Sequence, residues 1–182
     1  SDVDKIVEEI ERISRDSERR IREIVERNKK VSEDHKRELE RLLKEMEKVV
    51  EDVKKVLKDG DDKKKLKDEA RRVVERVKDD LRKLLETNHE ISKRSREELR
   101  KLVEDNERVV RKAEKDLKDR VSDKKKVDEA RKKLRDLLER SKEVVKEAER
   151  RLEKSNRDVR REAERVRKAL DDLLKEVDEA VR

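Results

Sequence analysis

The chain has 182 residues; 61% are charged, none is aromatic, and 59 basic against 52 acidic side chains leave a net charge of +7. With no cysteine it can form neither a disulfide nor a thiolate zinc site, and apolar runs that stop at two residues, as in Val49-Val50 and Leu84-Leu85, exclude a membrane-spanning helix. Leu, Ile and Val supply 46 residues, about a quarter of the chain and above the roughly 20% below which no core forms, so the mixed charges point to long salt-bridged helices rather than a repelling coil.

Three helices are expected in chain order, over residues 2–58, 62–119 and 123–181. Ser1 or Asp2 caps the first. Gly60 is the only glycine, there is no proline, and Gly60-Asp61-Asp62 reads as a helix stop followed by an acidic cap for the second helix. Val121-Ser122-Asp123 is the second break, where Ser122 or Asp123 accepts the free backbone N–H groups of the third helix. Each helix would be about 85 Å long at 1.5 Å per residue. Short loops make neighbours antiparallel. The fold class expected is all-α: an up-down-up three-helix bundle of long, nearly straight antiparallel helices, forming a single domain over 1–182.

The apolar stripe repeats every 18 residues. Val3, Ile21, Leu39 and Leu57 share one phase in the first helix; Leu81, Leu99 and Leu117 do so in the second, and Leu134, Leu152 and Leu170 in the third. Eighteen residues make five turns of a straight helix, whereas a strict heptad from Val3 drifts onto Glu38 and Glu45. A stripe this wide suits a helix with two or three neighbours. Outside it, Glu8-Arg12, Glu18-Arg22, Glu23-Arg27, Glu40-Lys44 and Glu104-Arg108 are spaced for ion pairs one turn apart.

Polar residues interrupt the stripe at matching heights. If the helices turn around the two breaks, level residues in the first and second helices have numbers adding to about 121, and in the second and third to about 241. Asn28, Ser32 and His35 then lie level with Asn88, Ser92 and Ser95 and with Ser155 and Asn156. A second layer takes Ser14, Ser17, Asn106 and, within about two turns, Ser141. An unpartnered buried amide or hydroxyl costs about 1–3 kcal/mol, so these groups are expected to bond one another. What they contribute is register, because any slid arrangement leaves donors and acceptors unmatched.

Chemistry is sparse. His35 has serines and amides for neighbours and no second histidine in phase, which makes it a hydrogen-bonded core histidine rather than a base or ligand; it would be a weak pH switch at best. His89 falls on the solvated face. There is no HExxH, no glycine-rich phosphate loop and no Asn-x-Ser/Thr acceptor, so no catalytic, cofactor-binding or metal residue is assigned and no enzyme activity is expected. Lys63–Lys65 and Lys124–Lys126 oppose the helix dipole in a first turn and serve the solubility of the bundle ends. Basic residues alternate with acidic ones and no aromatic platform exists, so neither specific nucleic-acid binding nor membrane binding is expected.

Equal helices, KDG and VSD loops, Glu/Lys/Arg surfaces, a Val/Leu/Ile core and Ser/Asn/His core layers together resemble the de novo designed helical bundles with buried hydrogen-bond networks. Spectrin-like repeats are similar in architecture but usually carry tryptophan, which this chain lacks. The resemblance implies a scaffold or assembly module with no catalytic residue, soluble and cytoplasmic on recombinant expression. It leaves two classes open: a bundle closed on itself that needs no partner, or an interaction module whose polar layers are completed by a partner helix or a second copy in a homo-oligomer.

Overall fold

Helix formation follows from local chemistry where the breaks are visible. Asp123 accepts the backbone N–H groups of Lys125 at 3.1 Å and Lys126 at 3.4 Å through Oδ1, which satisfies two of the orphan donors of a helix start and offsets the lysine triplet that follows. The N–H of Val127 donates to the Asp123 carbonyl at 3.1 Å and opens the helix. The preceding helix closes on a bond from the Val121 N–H to the Leu117 carbonyl, also 3.1 Å, with Lys118 and Arg120 in its last turn, where the dipole favours cations.

A computed structural model describes residues 2–59 and 63–181, with the side chains of 57–59 and 181 excepted. It consists of α1 (Asp2–Asp59), α2 (Lys63–Arg120) and α3 (Lys124–Val181), and the fold is an all-α three-helix bundle. α2 ends and α3 starts one residue later than capping and turn signals predict. The Gly60-Asp61-Asp62 stop, the Ser1 cap and the Leu57 side chain lie outside the described residues. No helix among the described residues is long and apolar enough to cross a membrane.

Two compact units share the three helices. Unit 1 takes the described residues through Lys29 together with Ser92–Glu153; unit 2 takes the described residues of Lys30–Ile91 and those from Lys154 onward. Each unit therefore contains a piece of α1, α2 and α3 and is itself a three-helix packing.

Unit 1 holds two apolar clusters. One joins Val7, Ile10, Val110, Ala113, Leu117, Val127, Ala130 and Leu134; the other joins Ile21, Ile24, Val25, Leu99, Val145, Ala148 and Leu152. Unit 2 holds one cluster of sixteen buried residues, including Leu39, Leu42, Met46, Val77, Leu173 and Val177. Every one of these lies on the 18-residue stripe or beside it, and burying each valine, leucine, isoleucine or methionine among them stabilises by about 1.5–3 kcal/mol before the entropy of ordering is counted.

Ion pairs fasten the seams, and here the structure departs from the expected spacing. None of the five predicted one-turn pairs forms. Arg12 meets Glu9 at 3.7 Å and Arg108 meets Asp105 at 3.4 Å, both three residues apart. Glu18 instead reaches Arg140 across the α1/α3 seam of unit 1 at 2.8 Å, and Arg27 reaches Glu98 across the α1/α2 seam at 2.9 Å. The reason is position: Glu18 and Glu98 stand at the edge of the apolar stripe, where a neighbouring helix brings a guanidinium closer than their own helix does. Within unit 2 the α1/α3 seam is bridged by Lys36 to Asp158 at 3.3 Å and by Lys54 to Glu176 at 3.9 Å. Glu18, Lys36 and Lys54 are spaced by 18 residues, and so are Arg140, Asp158 and Glu176, so the repeat that sets the core phase also sets the seam.

Candidate functional site

Among the described residues the polar stripe residues break the apolar pattern of the core, and burial identifies them again. Ser14, Ser17, Asn28, Ser32, Asn88, Ser92, Ser95, Asn106, Ser141 and Asn156 are buried; His35 and Ser155 are half-buried, and His89 is exposed.

Unit 1 contains Ser14, Ser17, Asn106 and Ser141 between its two apolar clusters. The Ser17 hydroxyl donates to Asn106 Oδ1 at 3.1 Å, and Asn106 Nδ2 donates to Ser141 Oγ at 3.5 Å. One amide thus ties α1, α2 and α3 together, accepting from one helix and donating to another. Ser141 lies within about two turns of the level expected for a partner of Asn106 on α3. Ser14, one turn before Ser17, lines a small cavity with Asn106 and Ser141.

Unit 1 also contains Asn28, Ser92 and Ser95 of the layer that was expected to group eight residues, while Ser32, His35, Asn88, Ser155 and Asn156 belong to unit 2. Within unit 2, Asn88 Nδ2 donates to His35 Nδ1 at 3.0 Å. An amide N–H at that distance requires a lone pair on the ring nitrogen, so His35 is neutral with its proton on Nε2. Burial lowers its pKa below the ordinary histidine value, and the neighbouring Asp34 carboxylate opposes that shift without reversing it.

Mutual bonding is incomplete elsewhere. Asn28 Nδ2, Ser32 Oγ and Ser95 Oγ are buried with no hydrogen-bond partner, and each such group costs about 1–3 kcal/mol. Height alone could not reveal this. Two residues at one level bond only if their side chains also point at each other, which depends on the rotation of each helix about its axis.

Three solvent-open cavities lie along the α1/α3 seams, of about 370 and 410 Å³ in unit 1 and about 620 Å³ in unit 2. Charged residues rim them. Their floors include the buried Val7, Ile21, Val25, Met46, Ala130 and Ala148, beside half-exposed apolar residues such as Val144 in unit 1 and Leu43, Val50 and Ala169 in unit 2. Among the described residues no group of three or more His, Cys, Asp or Glu side chains could hold a metal ion.

No family model matches the chain, and no curated protein matches it in sequence. The fold is similar to a solved structure described as a computationally designed three-helix bundle, with 19% identity, coverage of 98% of this chain and 84% of that one, and a TM-score of 0.55. At that identity the likeness establishes the fold, a three-helix bundle; buried Ser/Asn contacts are present in the core here.

Proposed function

We propose that the chain is a designed structural scaffold without a natural biochemical activity, in which three helices close on themselves and the buried polar residues set helix register. The observation that carries this reading is the Ser17–Asn106–Ser141 relay, three side chains from three helices that are satisfied by one another in one arrangement. A helix slid by a turn would strand a buried amide at about 1–3 kcal/mol, which is a large fraction of the stability of a small domain. Fold alone does not assign an activity, and a site for one would need a convergent set of nucleophile, base and pocket; His35, bonded to an amide, supplies none of these.

The rival reading, a module completed by a partner helix or a second copy, gains less support. The polar residues it would engage are already covered: Asn28 is 2% exposed, Ser92 2% and Ser95 1%.

Replacing Asn28, Asn88 and Asn156 together by leucine tests the register role. The variant is expected to remain helical and at least as stable, but to populate more than one species in size-exclusion chromatography with light scattering. An unchanged single species would remove the specificity role. In the same measurement the unmodified chain is expected at its monomer mass of 22.0 kDa; a stable dimer would shift the reading to the interaction module.

A further inference from the structure

We propose that the α1/α3 groove of unit 2 is a docking surface for one amphipathic helix whose acidic and basic residues are segregated to opposite ends. This goes beyond the scaffold reading and leaves the polar layers sealed. Leu43, Met46 and Val50 on α1 and Ala169 on α3 form the floor of this open cavity of about 620 Å³. Leu43, Val50 and Ala169 are half-exposed, and Met46 closes the bottom. The three α1 residues are spaced by three and four, as one face of a helix requires. Ala169, the smallest of the four, leaves a hole in the other wall of the kind that receives a leucine from a facing helix.

Two ion pairs fix the levels of the walls. Lys36–Asp158 and Lys54–Glu176 each join residues 122 apart, so Arg165, Lys168 and Asp172 stand level with Leu43, Met46 and Val50. Among the described residues, Glu47, Glu51, Lys168 and Asp172 are exposed and make no ion pair, and Arg165 turns to Glu162 on its own helix. The rim charges are therefore left for a partner, and they are sorted lengthwise. Arg165 and Lys168 stand at the Leu43 end; Glu47, Glu51 and Asp172 stand at the Val50 end. An occupant with acidic residues at the first end and basic residues at the second is attracted at both, whereas one with alternating charges meets repulsion at each. From Leu43 to Lys54 the groove runs about 17 Å, three helical turns. Its walls are two helices with their backbone groups already bonded, so an extended strand finds no partner there and a helix does not need one.

Fluorescence anisotropy of a labelled synthetic peptide of about 18 residues, long enough to be helical, tests the surface on titration with the whole chain. The peptide carries leucines at three- and four-residue spacing, glutamates in one half and lysines in the other. A second peptide keeps the composition and the leucines but alternates the charges. The first is expected to bind about tenfold tighter, the scale of a few exposed charge contacts. Ala169→Gln, which fills the floor, is expected to weaken the first peptide about tenfold with helicity and Tm retained. Glu47→Lys with Glu51→Lys changes only exposed, unpaired side chains and should abolish the preference between the two peptides; it decides the matter if Ala169→Gln fails to fold. The proposal is overturned by no saturable binding of the first peptide, by equal binding of both peptides to the unmodified chain, or by binding that neither variant alters. A dimer in light scattering that Ala169→Gln dissociates also overturns it, because the groove then belongs to a second copy.

Discussion

The two units use the same ingredients in different order. In unit 2 a single apolar cluster extends from Leu39 and Leu84 to Val53, Leu66 and Val177, and the polar residues His35, Asn88, Ser155 and Asn156 come before it along α1 and α3 and after it along α2. In unit 1 the Ser14, Ser17, Asn106 and Ser141 layer stands between two clusters of eight and seven buried residues. The difference separates two tasks that a uniform core would merge. A continuous apolar cluster supplies stability with little preference for register, since one leucine layer packs on another much as the next would. A polar layer set within the core gives up apolar burial and specifies register, because its amide is satisfied in one alignment only.

The largest test of that contrast is a cavity in each unit. Leu42→Ala in unit 2 and Leu134→Ala in unit 1 delete side chains that are 0% exposed, and each should cost about 3 kcal/mol in urea denaturation. Hydrogen exchange should distinguish them. The loss of protection from Leu42→Ala is expected to spread through unit 2, whereas that from Leu134→Ala should concentrate in the cluster of Val7, Val110 and Leu117 and weaken across the polar layer. Equal spread in both would mean that the layer does not divide the core of unit 1.

A smaller effect is expected at the layer itself. Asn106→Leu strands the Ser17 hydroxyl and removes the donor to Ser141, for a loss of about 1 kcal/mol. Combining it with Ser17→Ala and Ser141→Ala should recover that loss or exceed it, since the two apolar clusters then become continuous. A triple variant less stable than the single one, by urea midpoint, would show that the layer stabilises unit 1 rather than only aligning it.

The smallest effect belongs to His35 in unit 2. Its folded pKa is lowered by burial, so below the ordinary value of 6.5 the unfolded chain binds more protons than the folded one. The contribution of this group is therefore intact above about pH 6.5 and declines as pH falls toward the folded pKa. Protonating Nδ1 also sets an N–H against Asn88 Nδ2, so the contact must rearrange. His35→Gln should flatten the slope of stability just below about pH 6.5 without changing the acid limb from carboxylates. A slope equal in the two proteins would place the titration elsewhere.

Much of this architecture was legible because it is local or periodic. The 18-residue phase marks Val7, Ile24, Leu42, Leu99 and Leu152 as inward from residue order alone, since an α-helix must return to the same face after five turns. A cap at Ser122 or Asp123 was readable from the place of the pair ahead of an apolar period, and Asp123 is the acceptor. The polar residues were readable as stripe members, and all twelve are buried or half-buried. The ion pairs were not readable. Spacing of four residues predicts Glu18 with Arg22, yet Glu18 turns to Arg140, because the competitor arrives from another helix and leaves no trace in the local sequence.

What the sequence determines by itself is therefore what the helix period and the breaks dictate: three helices, their faces, and the heights at which polar groups stand. What tertiary structure decides is azimuth and register. Packing sets Asn106 against Ser141, within about two turns of the level that the breaks alone predict, while the rotation of each helix leaves Asn28 Nδ2, Ser32 Oγ and Ser95 Oγ without partners among residues at their own height. Height is a sum of 1.5 Å steps along one chain; whether two polar groups meet depends on the relative placement of two helices, and that is set by the packing of all the apolar side chains around them.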